Sequence, residues 1–199
     1  MSSLKCDTEP HRPEHLRDQG VPHDVTSERG RFWQLKLLLL AYLAYAGVRH
    51  LTDPDFASIF SGVTFGVHEL GHLMFAFFGE WISVAGGSLA QVLLPVGAAL
   101  LFLRQRDRFG VAVCGAWLAM SLANLAVYIG DARAEALDLV SFSSEGAVHD
   151  WNYLLGSLRL LEHDTQVAGF VRAIGWVLLA GSIGRGAAAA MRPAPAATE

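Results

Sequence analysis

From Phe56 to Leu103 the chain carries only two charged side chains, Glu69 and Glu80. A helix that is apolar all round has nowhere to go in water. It must lie in a protein core or in a bilayer. Crossing a hydrocarbon core takes roughly 20 apolar residues, and this chain holds several runs near that length. They cover Phe32–Val48, Phe56–Gly79, Ile82–Leu103, Phe109–Gly130 and Val167–Met191. Of the 199 residues only 17% are charged, below the ~25% of soluble domains. The pattern predicts an all-α polytopic membrane helix bundle of four or five spans. The net charge of -4 and the lack of a basic stripe exclude a nucleic-acid partner. Cys6 and Cys114 form neither a disulfide framework nor a ligand pattern.

The ends differ from the middle. Residues 1–31 hold Pro10, Pro13, Pro22 and mixed charges without an apolar period, and are expected to be a disordered tail. Residues 32–191 form the membrane domain, and residues 192–199, with Pro193 and Pro195, a second tail. No cleavable signal is evident, so the first apolar run is expected to be an uncleaved anchor.

Inside the second run lies Val67-His68-Glu69-Leu70-Gly71-His72, an H-E-x-x-H pattern. Residues four apart share a helix face. His68 and His72 would thus aim two imidazoles at one spot, as a zinc ion needs. Glu69, about 100° further round, sits where a general base could reach a water held by the metal. An ionisable group amid such apolar sequence is costly in a bilayer and points to function.

A catalytic zinc usually has three protein ligands and one open position. Two residues lead for the third. Asp131 ends a polar face made by Ser121, Asn124 and Tyr128. His149 precedes Asp150, which could orient a ligating imidazole. Asp150 and Glu135 are lesser alternatives, and Asp150 also reads as a helix N-cap. His50 and His163 are expected at the interface, and Arg172 is expected to snorkel. Trp151, Leu154, Leu155, Leu158 and Leu161 recur at helical spacing, which predicts one amphipathic helix in the interface plane or packed over the bundle.

Two signals concern topology. Gly86-Gly87, flanked by Ser83 and Ser88, predicts a bend or an extended stretch, since paired glycines weaken a helix. Basic clusters near Lys36, at Arg104, Arg106 and Arg108, and at Arg185 and Arg192 should all prefer the cytoplasm. That needs an even number of crossings between Lys36 and Arg104, whereas three apolar runs intervene. A re-entrant segment around Gly86-Gly87 would reconcile them.

With these residues in view, the chain resembles the site-2 protease group of intramembrane zinc metalloproteases. The resemblance rests on His68-Glu69-Leu70-Gly71-His72 and on a later helix with Asn124-Leu125 and Asp131. In that group the later helix carries N-x-x-P-x-x-x-L-D-G, whose Asp is the third ligand. Here the Asn-to-Asp spacing is one residue shorter, the proline is absent, and Gly130 precedes Asp131. The chain is also similar to a set of small bacterial membrane proteins sharing Gly86-Gly87-Ser88-Leu89, Tyr128-Ile129-x-Asp131-Ala132-Arg133-Ala134 and His149-Asp150-Trp151. The resemblance implies a bacterial inner-membrane protein. It implies zinc-dependent peptide-bond hydrolysis at the bilayer, with Glu69 as general base and a membrane protein or peptide as substrate. A membrane hydrolase of a lipid or small amide, and a non-catalytic metal- or partner-binding protein, are the alternatives.

Overall fold

The computed structural model describes residues 25–137 and 149–191, with side chains from 32 onward. Residues 1–24, 138–148 and 192–199 lie outside the described residues, and with them most of both expected tails. Six α-helices follow one another: α1 (Val25–Thr52), α2 (Ile59–Phe75), α3 (Glu80–Arg104), α4 (Arg108–Gly130), α5 (Asp150–Ser157) and α6 (Asp164–Ala190). No strand occurs among the described residues. Three helical stretches, Glu80–Arg104, Arg108–Gly130 and Leu161–Ala190, are long and apolar enough to cross a membrane. The protein is an all-helical bundle of membrane type.

Helix ends follow local chemistry. Ser58 caps α2 through Phe60 N, and Ser61 answers with a bond from the Ser58 amide, a reciprocal box that satisfies two orphan donors. The helix therefore begins just inside the apolar run that starts at Phe56. Asp107 caps α4 through Phe109 N and Gly110 N. Between α2 and α3 the chain reverses at Gly79, whose φ of 93° is open to glycine and strained for other residues.

α4 is the central helix, touching α1, α2, α3, α5 and α6. Its buried face is built from Ala112, Ala116, Ala119, Ala123 and Ala126. Small side chains let neighbouring backbones come close, and dispersion then holds helices together where lipid offers no hydrophobic gain. One core joins Leu43 and Ala46 of α1, Met120 of α4 and Leu179 of α6. A second joins Leu125 and Ile129 to Leu155 and Ala168, anchoring α5 and α6 near the end of α4.

The direction of each helix can be read from its contacts. Lys36 Nζ lies 5.3 Å from the Phe109 ring, Leu40 and Ala112 both approach Gly186, and Leu51 and Ala119 both approach Gly175. So α1 runs with α4 and against α6. Thr64 meets Ser121 at 3.4 Å and the His68 ring lies 5.8 Å from that of Tyr128, so α2 also runs with α4. α1 and α2 therefore advance in one direction, divided by a break where His50 bonds Ser58 at 2.8 Å. α3 returns against α2, with His68 beside Gln91 and His72 beside Ser83.

This overturns the expected bend at Gly86-Gly87. α3 is a continuous helix through both glycines and Pro95. Its glycines are buried against α2. A Cβ on Gly86 would fall 2.7 Å from Phe75 Cβ and 2.8 Å from the Gly71 carbonyl oxygen. Tertiary packing at a backbone-to-backbone crossing outweighs the helix penalty of about 1 kcal/mol per glycine. The even number of traverses comes from α1 and α2 sharing one, not from a re-entrant α3. Lys36, the Arg104–Arg108 turn and Arg185 consequently gather at one end of the bundle.

α5 is shorter than its apolar period suggested. It ends at Ser157, and Arg159 takes a left-handed φ of 58°. Leu154 and Leu155 are buried whereas Leu158 is exposed. Trp151 Nε1 donates to Ser88 Oγ and Trp81 Nε1 to Ser157 Oγ. These bonds pack α5 over the bundle, above α2 and α3.

Candidate metal centre

His68 and His72 lie one turn apart on α2, and both aim their rings toward α3 and α5. The ring centroids are 4.8 Å apart and nearly perpendicular. Across from them stands Asp150, the first residue of α5. Its Oδ2 is 3.0 Å from His68 Nε2 and 3.2 Å from His72 Nε2. One potential ligand atom from each of the three residues lies within 4.8 Å of the other two.

The outer nitrogens are held as well. His72 Nδ1 is 2.9 Å from the Ser83 carbonyl oxygen, and His68 Nδ1 is 3.2 Å from Gln91 Oε1. The His72 contact is decisive for protonation. A carbonyl oxygen only accepts, so Nδ1 must carry the hydrogen. A neutral imidazole has one N–H, which leaves the Nε2 lone pair facing the Asp150 carboxylate. Two acceptors at 3.2 Å repel each other unless a positive charge lies between them, whether a proton on Nε2 or a cation. Zinc–nitrogen and zinc–oxygen bonds of about 2.0–2.2 Å place neighbouring tetrahedral ligand atoms roughly 3.3 Å apart. The two Asp150 contacts fall close to that edge. Burial alone would raise the Asp150 carboxyl. Where the imidazole Nε2 atoms carry protons, hydrogen bonding to His68 and His72 outweighs that and holds its pKa below the usual carboxylate value.

Gly87 forms the floor of the site. A Cβ there would lie 2.6 Å from the Nε2 atoms of both His68 and His72. Any side chain would occupy the space on which the imidazoles converge. Gly71, between the histidines on α2, lets that helix meet the Gly86 backbone.

Glu69 is half-buried, next to His68 on α2. Around Asp150 a second set of groups fixes its place. The Asp150 amide donates to Tyr128 Oη at 3.1 Å, and the Tyr128 ring stacks on His149 at 4.3 Å. His149 is the N-cap of α5, its Nδ1 accepting from Asn152 N. His149 Nε2 faces Asp131 Oδ2 at 3.4 Å, and Asp131 accepts from the amides of Ala136 and Leu137.

The two leading candidates for the third position, Asp131 and His149, thus face each other one layer behind the histidines. Asp150, a lesser alternative in the sequence and expected as an N-cap, stands beside them instead. Capping falls to His149. The reason is angular: successive helical residues point about 100° apart, so only one of the pair can face α2. Asp131 does not pair with Arg133, which bonds the buried Asp164 at 3.0 Å. His50 is buried against Ser58 rather than interfacial, while Glu135 and His163 are exposed.

Compared with protein-family models, curated proteins and solved structures, the chain matches none.

Gln91, Ser88 and Gly87 were not singled out as site residues in the sequence. A signal was present: Gly87 and Gln91 are four apart on α3, and Gln91 is the one side-chain amide between Phe56 and Leu103.

Proposed function

We propose that His68, His72 and Asp150 hold one zinc ion, and that the centre hydrolyses a peptide bond at the membrane with Glu69 as general base. The observation that carries this reading is the His72 geometry: a hydrogen-bearing Nδ1 on a carbonyl and an Nε2 facing a carboxylate. That arrangement is met by a proton on Nε2 or by a metal cation, and two imidazoles plus a carboxylate are a zinc donor set. When bound, such an ion supplies Lewis acidity and makes water more acidic.

The chain's own groups do the rest. Ser83 and Gln91 orient the imidazoles through Nδ1, and outer partners of this kind raise ligand basicity. Glu69 takes a proton from the attacking water and returns it to the leaving amine. The α3 segment at Gly86-Gly87 is helical and therefore offers no strand edge to an extended substrate. Substrate chemistry is fixed only by the carbonyl to be attacked, which separates a peptide from a lipid or small amide by assay.

The test is Glu69→Gln. Zinc content should stay at one per chain while cleavage of a membrane-peptide library falls by about 100-fold or more, the scale of a lost general base. Cleavage retained in that variant removes Glu69 from the chemistry. A protein that never cleaves peptides but hydrolyses lipid amides selects the other substrate class.

Sidedness follows from the gathered basic groups. In a bacterial inner membrane, Lys36, Arg106 and Arg185 should face the cytoplasm, and the metal centre, toward the far end of α4, should open to the outside. Cysteines placed at Arg106 and Ser83 are expected to label from opposite faces in oriented vesicles. Labelling of both from one face would refute the crossing by α3.

A further inference from the structure

A second feature lies on the side of α4 that carries α6. Where α4 ends and α6 begins there is an open surface cleft of about 410 Å³. Its walls are small, with Ala126 and Gly130 on one side and Ala168 and Gly169 on the other, and Pro54 from the α1–α2 break closes it. Two charged side chains line it, Arg172 and Asp131. They do not pair with each other. The ion pairs among the described residues are Arg49–Asp53, Arg133–Asp164 and the three histidine–aspartate contacts.

Arg172 is half-buried and lies eight residues into α6, about 12 Å along the axis at 1.5 Å per residue. A guanidinium at that depth is costly unless an anion meets it, and planar guanidinium recognises phosphate through parallel N–H donors. Among the described residues Asp131 is only partly satisfied. A carboxylate offers about four acceptor positions, and its described partners are two backbone amides and the His149 ring. The cleft thus presents a cation and an anion that are held apart. A purely anionic ligand would be repelled by Asp131.

We propose that this cleft binds a phosphoethanolamine headgroup, with phosphate on Arg172 and ammonium on Asp131. The proposal shares Asp131 with the layer behind the metal centre, uses none of His68, His72 and Asp150, and does not require a bound ion. An aminophospholipid or a soluble phosphoethanolamine ester could supply the headgroup.

The experiment uses the full chain in nanodiscs and in detergent. Binding is followed by native mass spectrometry for phosphatidylethanolamine, phosphatidylcholine, phosphatidylglycerol and soluble glycerophosphoethanolamine. Phosphatidylethanolamine should bind in preference to the other two lipids, because choline offers no N–H to Asp131 and glycerol no cation. Arg172→Gln should weaken it about 10-fold or more, as loss of a charged hydrogen bond implies, and Arg172→Lys should restore part of it. An unchanged circular-dichroism spectrum and unfolding temperature in Arg172→Gln show that the variant is folded. Tight binding of glycerophosphoethanolamine with the same Arg172 dependence supports the site and assigns the soluble source. Equal binding of phosphatidylglycerol and phosphatidylethanolamine, or binding indifferent to Arg172→Gln, overturns the proposal.

Discussion

Replacing Asp150 with alanine is expected to strip zinc from the purified protein, whereas Asp131→Ala and His149→Ala should weaken it by about 10–100-fold, the usual scale for groups behind the ligands. The difference follows from position. Asp150 Oδ2 lies 3.0 and 3.2 Å from the two imidazole Nε2 atoms. Its removal leaves two neutral donors, too few for a zinc site with three protein ligands. Asp131 and His149 act on Asp150 only through the backbone that carries it. His149 caps α5 and lies against the Tyr128 ring, and Asp131 faces His149 Nε2 at 3.4 Å and accepts from two amides of the turn after α4. Their loss would loosen the carboxylate without deleting it. Competition against graded chelators, with metal counted by mass spectrometry, measures all three variants. A larger loss in Asp131→Ala than in Asp150→Ala would transfer the third ligand to Asp131.

Gly87→Ala should abolish zinc binding while the helical content by circular dichroism stays unchanged, and Gly71→Ala should lower the unfolding temperature. Propensity argues the other way. Alanine favours a helix over glycine by up to about 1 kcal/mol, so an unconstrained glycine would yield a more stable protein. The contacts decide the sign. A methyl on Gly87 would fall 2.6 Å from both Nε2 atoms. Those atoms belong to side chains that can rotate away, so the expected casualty is the site. A methyl on Gly71 would meet the Gly86 carbonyl and Ala90. Backbone cannot rotate away, and overpacking of this kind costs about 1–3 kcal/mol, more than propensity returns. A Gly71→Ala protein with a raised unfolding temperature and full zinc content would remove the close α2–α3 crossing from the account.

These glycines show where reading a sequence reaches its limit. Gly86-Gly87 has the same local signature whether it breaks a helix or admits a neighbour. The outcome depends on Gly71, Phe75 and two histidines that reach it from another helix. The basic clusters raised a similar difficulty. Counting apolar runs gave an odd number between Lys36 and Arg104, because a run does not reveal whether the chain reverses after it. Only the pairing of Thr64 with Ser121 and of Lys36 with Phe109 establishes that α1 and α2 advance together.

Local physics did determine much from the sequence alone. The helical, membrane-type class follows from apolar runs with almost no charge, since only helices and closed barrels satisfy the backbone there and runs of about 20 residues suit helices. The convergence of His68 and His72 follows from a four-residue spacing on one helix. The polar face of Ser121, Asn124, Tyr128 and Asp131 was legible for the same reason, and Ser121 and Tyr128 do meet Thr64 and His68. What the tertiary structure decided is the third residue of the cluster. Asp150 is 82 positions from His68, and its neighbour His149 was an equally good ligand by type. Which of them faces the histidines is set by the docking of α5, through Trp151 on Ser88 and the Asp150 amide on Tyr128. Those are long-range contacts, formed only once the helices have packed, and no local period in the chain encodes them.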